Sequence, residues 1–99
     1  MDTYTRNFLR KRSHELTPIV MIGKSGMSVN IEHALDEALA VHELVKVKFL
    51  NLKDEKKEVA RMLAEHTKAE LVTVVGNIAI IYRKHEDPAM RRYNIPKRH

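Results

Sequence analysis

Ile19-Val20-Met21-Ile22-Gly23-Lys24-Ser25-Gly26-Met27-Ser28 holds a strand, a glycine-bounded loop and a helix cap in one short run. Four successive apolar residues leave no wet face, so residues 19–22 are expected to form a fully buried strand. Ser28 is a good N-cap. Behind it Ile31, Ala34, Leu35, Ala38 and Val41 recur on one side of a helix expected to run through Val41. The loop between strand and helix suits an anion. Gly23 and Gly26 let the main chain approach one without a Cβ in the way, Lys24 offers a point charge, and Ser25 offers a hydroxyl. The first turn of the helix adds unpaired N–H groups. Loops of the G-x-x-G kind clamp a nucleic-acid backbone in this way, although two glycines at this spacing also make a plain tight turn.

A similar string, G-x-x-x-x-G-K-[ST], binds nucleoside triphosphates. Here its first glycine would fall at position 18, which is Pro18, and no later apolar run ends in an Asp placed to hold magnesium. Nucleotide hydrolysis is therefore not expected.

Outward from the loop, residues 5–14 read as a basic helix with Phe8, Leu9 and the later Leu16 on its apolar side, ended by Pro18. Residues 44–50 switch to a period of two. Val45, Val47 and Phe49 point one way and Lys46 and Lys48 the other, as in a half-buried strand. Asp54 is the expected cap of a third helix reaching about Thr67, with Val59, Met62, Leu63 and His66 inward. Residues 69–75 and 78–83 are two strands around the tight connection Gly76-Asn77. The order is αβαβαββ, an α/β fold with a mixed four-stranded sheet packed with three helices, since strands joined through helices run parallel and the last hairpin is antiparallel. Residues 1–84 are expected to form one domain and residues 85–99 a basic, partly ordered tail.

The net charge of +5 is unevenly distributed. Residues 1–14 carry +3, residues 83–99 carry +4, and the middle carries −2. Basic ends of this kind meet polyanions, or simply keep a surface solvated. The chain lacks cysteine, which removes disulfides, thiolate zinc sites and cysteine nucleophiles together. His14, His33, His42, His66, His85 and His99 show no H-x-H, H-x-x-H or H-x-x-x-H spacing, and adjacent acids such as Asp36-Glu37 and Asp54-Glu55 suit helix surfaces better than acid-base work. Neither a cofactor nor a metal is expected. The N-terminus lacks an apolar signal core and no run is long enough to span a bilayer, so the protein is expected to be cytoplasmic. Nothing requires more than a monomer.

Residues 16–28, followed by Glu37-Ala38-Leu39 and residues 42–48, resemble the CRM domain family, also called CRS1-YhbY. Residues 69–76 and Ile81-Tyr82-Arg83 are similar to the hairpin that closes that domain, and the blocks together cover roughly residues 5–84 in the family's order. The resemblance implies a fold related to the C-terminal domain of a bacterial translation initiation factor, and RNA binding without catalysis. Stand-alone bacterial members associate with precursors of the large ribosomal subunit, while multi-copy plant organelle members assist group II intron splicing; a single copy looks like the stand-alone form. The family's loop carries over onto Gly23, Lys24, Ser25 and Gly26, and its final Tyr-Arg onto Tyr82 and Arg83. One departure is Thr67-Lys68-Ala69, where many members have Thr-Gly-Ala.

With aromatic residues at 5%, a broad base-stacking platform is not expected, and recognition should rest on backbone and shape. The loop would hold one phosphate region, with Arg10, Lys11, Arg12, Arg83 and Lys84 as neighbouring contacts to large-subunit precursor rRNA. Lys46 and Lys48 read as the wet side of a strand, Tyr82 as an edge-of-core residue with its hydroxyl in water, and Arg91, Arg92 and Tyr93 as a clamp only if the tail is ordered. The alternatives are a general RNA chaperone or translation-associated binder and, less favoured, a small nucleotide-binding enzyme.

Overall fold

The described residues form three helices and four strands in the order α1 (Thr3–Ser13), β1 (Val20–Ile22), α2 (Val29–His42), β2 (Leu44–Phe49), α3 (Lys56–His66), β3 (Glu70–Val75) and β4 (Ile78–Tyr82), followed by a 3₁₀ turn at Pro88–Met90. This computed structural model describes residues 1–23, 26–51 and 54–96. The strands lie in the order β1-β2-β4-β3, with β1 parallel to β2 and β4 antiparallel to both neighbours. The αβαβαββ order and the mixed sheet are those expected. Among the described residues no helix is long and apolar enough to cross a membrane.

The sheet has a core on each side. On one face Val20, Ile22, Val45, Val47, Phe49, Ala79 and Ile81 meet Leu35 and Leu39 of α2 and Ala60, Leu63 and Ala64 of α3. On the other, Leu44, Val72, Ile80 and Tyr82 meet Leu9 of α1, with Phe8, Leu16, Tyr93 and Ile95 packed around them. A bulge at Val72, where the register steps from Leu71 to Thr73, twists β3 on this second side. The α1 layer therefore changes the reading of β2, which is buried on both faces at its start, and of Tyr82, which is 6% exposed and belongs to the core. Burial pushes the pKa of the Tyr82 phenol above the ordinary tyrosine value, so the hydroxyl holds its proton more tightly.

The second layer stops short of β1. Here the expected fully buried strand alternates instead, with Val20 and Ile22 inward and Ile19 (52% exposed) and Met21 (45%) outward. The reason is position: β1 is an edge strand, and α1 packs on β2, β3 and β4. Sequence periodicity also placed the α2 stripe slightly off axis. Leu35 and Leu39 are its buried centre, while Ala34 and Val41 are exposed. At α3 the N-cap is Glu55 without a side-chain cap bond, in place of Asp54. His66 faces outward, its Nδ1 lying 2.6 Å from Glu32 Oε1 across the α2–α3 gap.

Among the described residues two that are not glycine have positive φ, Glu43 at 62° and Lys68 at 57°. Lys68 sits where a helix C-terminus favours glycine: Ala69 N–H donates to Ala64 O (2.8 Å) and Lys68 N–H to Glu65 O (3.2 Å), the paired bonds of a Schellman ending. The left-handed backbone costs a side-chain-bearing residue on the order of 1 kcal/mol. Lys68→Gly is accordingly expected to stabilise the protein by up to about 1 kcal/mol, seen as a melting temperature higher by about 4–8 °C. An unchanged melting temperature would mean that no strain is stored at this turn.

Residues 85–96 are held against the domain through Glu43, whose side chain is fully buried at the junction of α2 and β2. Its Oε2 accepts from His85 N–H at 2.7 Å, and its Oε1 accepts from the N–H groups of Arg92 and Tyr93. Arg92 Nε adds a bond to Val41 O (3.0 Å), and Tyr93 and Ile95 close the second core. The basic segment after Lys84 thus forms a strap on the fold as far as Pro96.

Candidate nucleic-acid interface

Glycine at position 23 has no structural reason that the fold supplies. Among the described residues nothing stands within 4 Å of where its Cβ would be, and its φ is not positive. Gly26 differs, with φ +71° and its N–H donating to Gly23 O at 3.0 Å, so the loop's closure itself requires a residue at ease there. Lys24 and Ser25 lie between them, outside the described residues. Behind the loop Ser28 caps α2 by accepting from Ile31 N–H (3.2 Å), which aims the helix N-terminus toward the loop end of the sheet.

That end is also where β2 finishes and β4 begins. Leu50 N–H donates to Ile22 O and Phe49 N–H to Asn77 O, both at 2.8 Å, so the chain after β1, the chain after β2 and the Gly76-Asn77 hairpin are tied together. Lys56 Nζ joins them by donating to Asn77 Oδ1 (2.9 Å). In the parallel register Met21 lies beside Lys48, which is exposed. Lys48 and Lys56 thereby add positive charge near the glycine loop. Strand alternation announced Lys48 as outward-facing; only the pairing of β1 with β2 reveals that it accompanies the loop.

From Gly23 an open strip of sheet runs back along the uncovered face, past Met21 and Lys48 and then Ile19 and Lys46. Lys46 is partly buried and donates to Leu16 O at 3.0 Å. At the far end stands the last turn of α1 with Arg10, Lys11 and Arg12, all exposed, and the Arg12 guanidinium lies 5.9 Å from the centre of the Tyr93 ring. The two ends are separated by the six residues of β2, about 17 Å at the usual rise per residue. Loop and basic helix are thus distant partners along one strip, not immediate neighbours.

Arg83 and Lys84 are on the other side of the sheet. The Arg83 guanidinium donates to Asp36 Oδ1 (2.6 Å), to Thr67 O (2.8 Å) and to Asp36 O (3.0 Å), bracing the end of β4 against the middle of α2 and the C-terminus of α3. Both line a separate cleft of about 590 Å³ with His66, Lys68 and His85. Arg92 and Tyr93, by contrast, join the α1 end of the strip, and the sequence signal for them was the basic-aromatic triplet Arg91-Arg92-Tyr93. Among the described residues no group of three or more His, Cys, Asp or Glu side chains is gathered so as to hold a metal ion.

Comparison with known proteins gives the family of the chain. The chain is 36% identical over 83 residues to the Bacillus subtilis protein named "Probable RNA-binding protein YqeI", covering 83% of this chain and 86% of that one. It is 33% identical over 88 residues to a Haemophilus influenzae protein named "RNA-binding protein", covering 88% and 89% of the two chains. The solution structure of the hypothetical protein SAV1595 from Staphylococcus aureus, described as "a putative RNA binding protein", superposes with a TM-score of 0.81 at 38% identity, over 97% of this chain and 100% of that one. The sequence signature of the CRS1 / YhbY (CRM) domain spans residues 1–83, and the chain belongs to that family.

Proposed function

We propose that this protein is a non-catalytic, cytoplasmic RNA-binding factor of ribosome assembly that engages precursor rRNA of the large subunit as a monomer. In this reading the Gly23-Lys24-Ser25-Gly26 loop takes one phosphate region, and the strip beside it leads to a second set of contacts at Arg10, Lys11 and Arg12. Arg83 serves as a brace, and Lys84 lies beside it away from the strip. Relatives named as RNA-binding proteins support the ligand class. A span of about 17 Å between the two ends lets one folded RNA surface present separate phosphates to both.

Gly23 carries the proposal. A glycine with ordinary φ and empty space around its missing Cβ is not needed by the fold, whereas a phosphate backbone lying directly on the main chain needs it. Gly23→Ala is therefore expected to leave stability unchanged or raised by up to about 1 kcal/mol, because the unfolded chain loses freedom, while weakening RNA binding. The test is sedimentation of native lysate on a low-salt sucrose gradient, following the unaltered protein, Gly23→Ala and Lys24→Ala together with Ser25→Ala. Co-sedimentation of only the unaltered form with large-subunit precursors is the expected result. If all forms remain at the top after gentle crosslinking, the ribosomal assignment fails.

A further inference from the structure

At the α1 end of the open strip, a cleft of about 250 Å³ lies between the turn after α1, the start of β2 and the C-terminal strap. Leu16, Ile19 and Leu44 give it an apolar side, and Lys46, Arg92 and Tyr93 a cationic and aromatic one; Glu15 is the one carboxylate among its lining residues. We infer that this cleft takes a single unpaired nucleotide of RNA, its base against Tyr93 and Leu16 and its phosphate toward Arg92 and Lys46, an inference that rests on the RNA-binding reading above.

Size, chemistry and rigidity each lead to that occupant. The volume falls below the range of about 300–1,000 Å³ typical of drug-sized pockets, which leaves room for one base and none for a helix. An extruded base needs an apolar or aromatic surface on its flat face and a cation near its phosphate, and those two characters meet here. Lys46 donates one ammonium hydrogen to Leu16 O and retains two donors for a ligand. Tyr93 is fixed in advance: its N–H is held by the buried Glu43 carboxylate, its side chain packs on the second core, and Arg12 lies 5.9 Å from its ring centre. An aromatic side chain immobilised before binding loses little entropy on stacking. The strap thus gives a chain without a broad aromatic platform one place to read an unpaired base.

Two hairpin RNAs of equal length test this, one fully paired and one with a single bulged 2-aminopurine, each titrated with the full chain while fluorescence and binding are followed. The unaltered protein is expected to quench the bulged 2-aminopurine and to bind that RNA at least about fivefold more tightly than the paired one. Tyr93→Ala should abolish both the quenching and the preference. Ile19→Glu, at an edge position already half exposed, should do the same without touching the core. If the unaltered protein binds both RNAs alike without quenching, the cleft is not a nucleotide site although RNA binding stands. A preference that survives both substitutions overturns the inference equally. Failure to bind either RNA removes the RNA-binding reading and the cleft with it.

Discussion

Replacing Glu43 with alanine is expected to lower the unfolding free energy by about 3 kcal/mol and to release residues 85–96 from the domain. One carboxylate, fully buried, accepts the N–H groups of His85, Arg92 and Tyr93. Hydrogen bonds to a charged group contribute about 1.5–3 kcal/mol each, and an orphaned buried donor costs comparably. The full sum does not appear in the net effect, because a freed strap turns its amides to water and the burial of the carboxylate is itself costly. The positive φ at Glu43 adds strain of about 1–3 kcal/mol that alanine retains, so the substitution loses the bonds without relieving the backbone. Glu43→Gln keeps one carbonyl acceptor and should lose about half as much. Urea unfolding measures the stability, and trypsin cleavage after Arg91 and Arg92 reports the strap. If Glu43→Ala unfolds at the same urea concentration and resists trypsin as before, Tyr93 and Ile95 dock the strap by apolar contact alone.

This junction shows where the sequence stopped being informative. A glutamate following His42 at the end of a helix reads as a solvated side chain, and positive φ reads as glycine; nothing local announces a buried anion whose partners lie more than forty residues later. The same applies to the strap, where charge and proline suggested a partly ordered tail, while the order comes from Glu43 and from a second core built of Phe8, Leu9 and Leu16 as much as of Tyr93 and Ile95. Locally encoded features were legible. Ser28 capped its helix, Gly76-Asn77 turned its hairpin, Val45, Val47 and Phe49 faced inward, and Lys68, standing where many family members have glycine, takes the left-handed backbone. Burial of β1 was not legible, since four apolar residues in a row do not say whether a strand is central or at an edge. The candidate site divides the same way. Residues of the loop could be named from spacing, but only the parallel register showed Lys48 accompanying it, and only the folded chain showed the Arg83 guanidinium engaged with Asp36 and Thr67.

The separation of the loop from α1 makes a quantitative prediction about RNA affinity. Each phosphate contact removed should lower the slope of log affinity against log salt by about one and weaken binding roughly fivefold at about 150 mM salt. Arg10→Ala with Lys11→Ala should therefore cost roughly twenty- to thirtyfold, Lys24→Ala roughly fivefold, and all three together roughly a hundredfold. Additivity follows from distance: the loop and the last turn of α1 are separated by the length of β2, beyond the range at which substitutions usually couple. Arg10 and Lys11 are exposed on α1, and their bonds to Ser13 Oγ (2.6 Å) and His14 N–H (3.2 Å) are made by backbone carbonyls, so their truncation should leave the melting temperature unchanged. A loss in the triple variant no greater than that of the double would show that the loop adds nothing once the helix contacts are gone, and a loss well beyond the product of the two would show that loop and helix serve alternative RNA poses. Additive losses with additive slopes would mean that one RNA touches both ends at once. An RNA held that way would pass over Met21, Lys48, Ile19 and Lys46 and would cover the apolar edge strand that is open on this face.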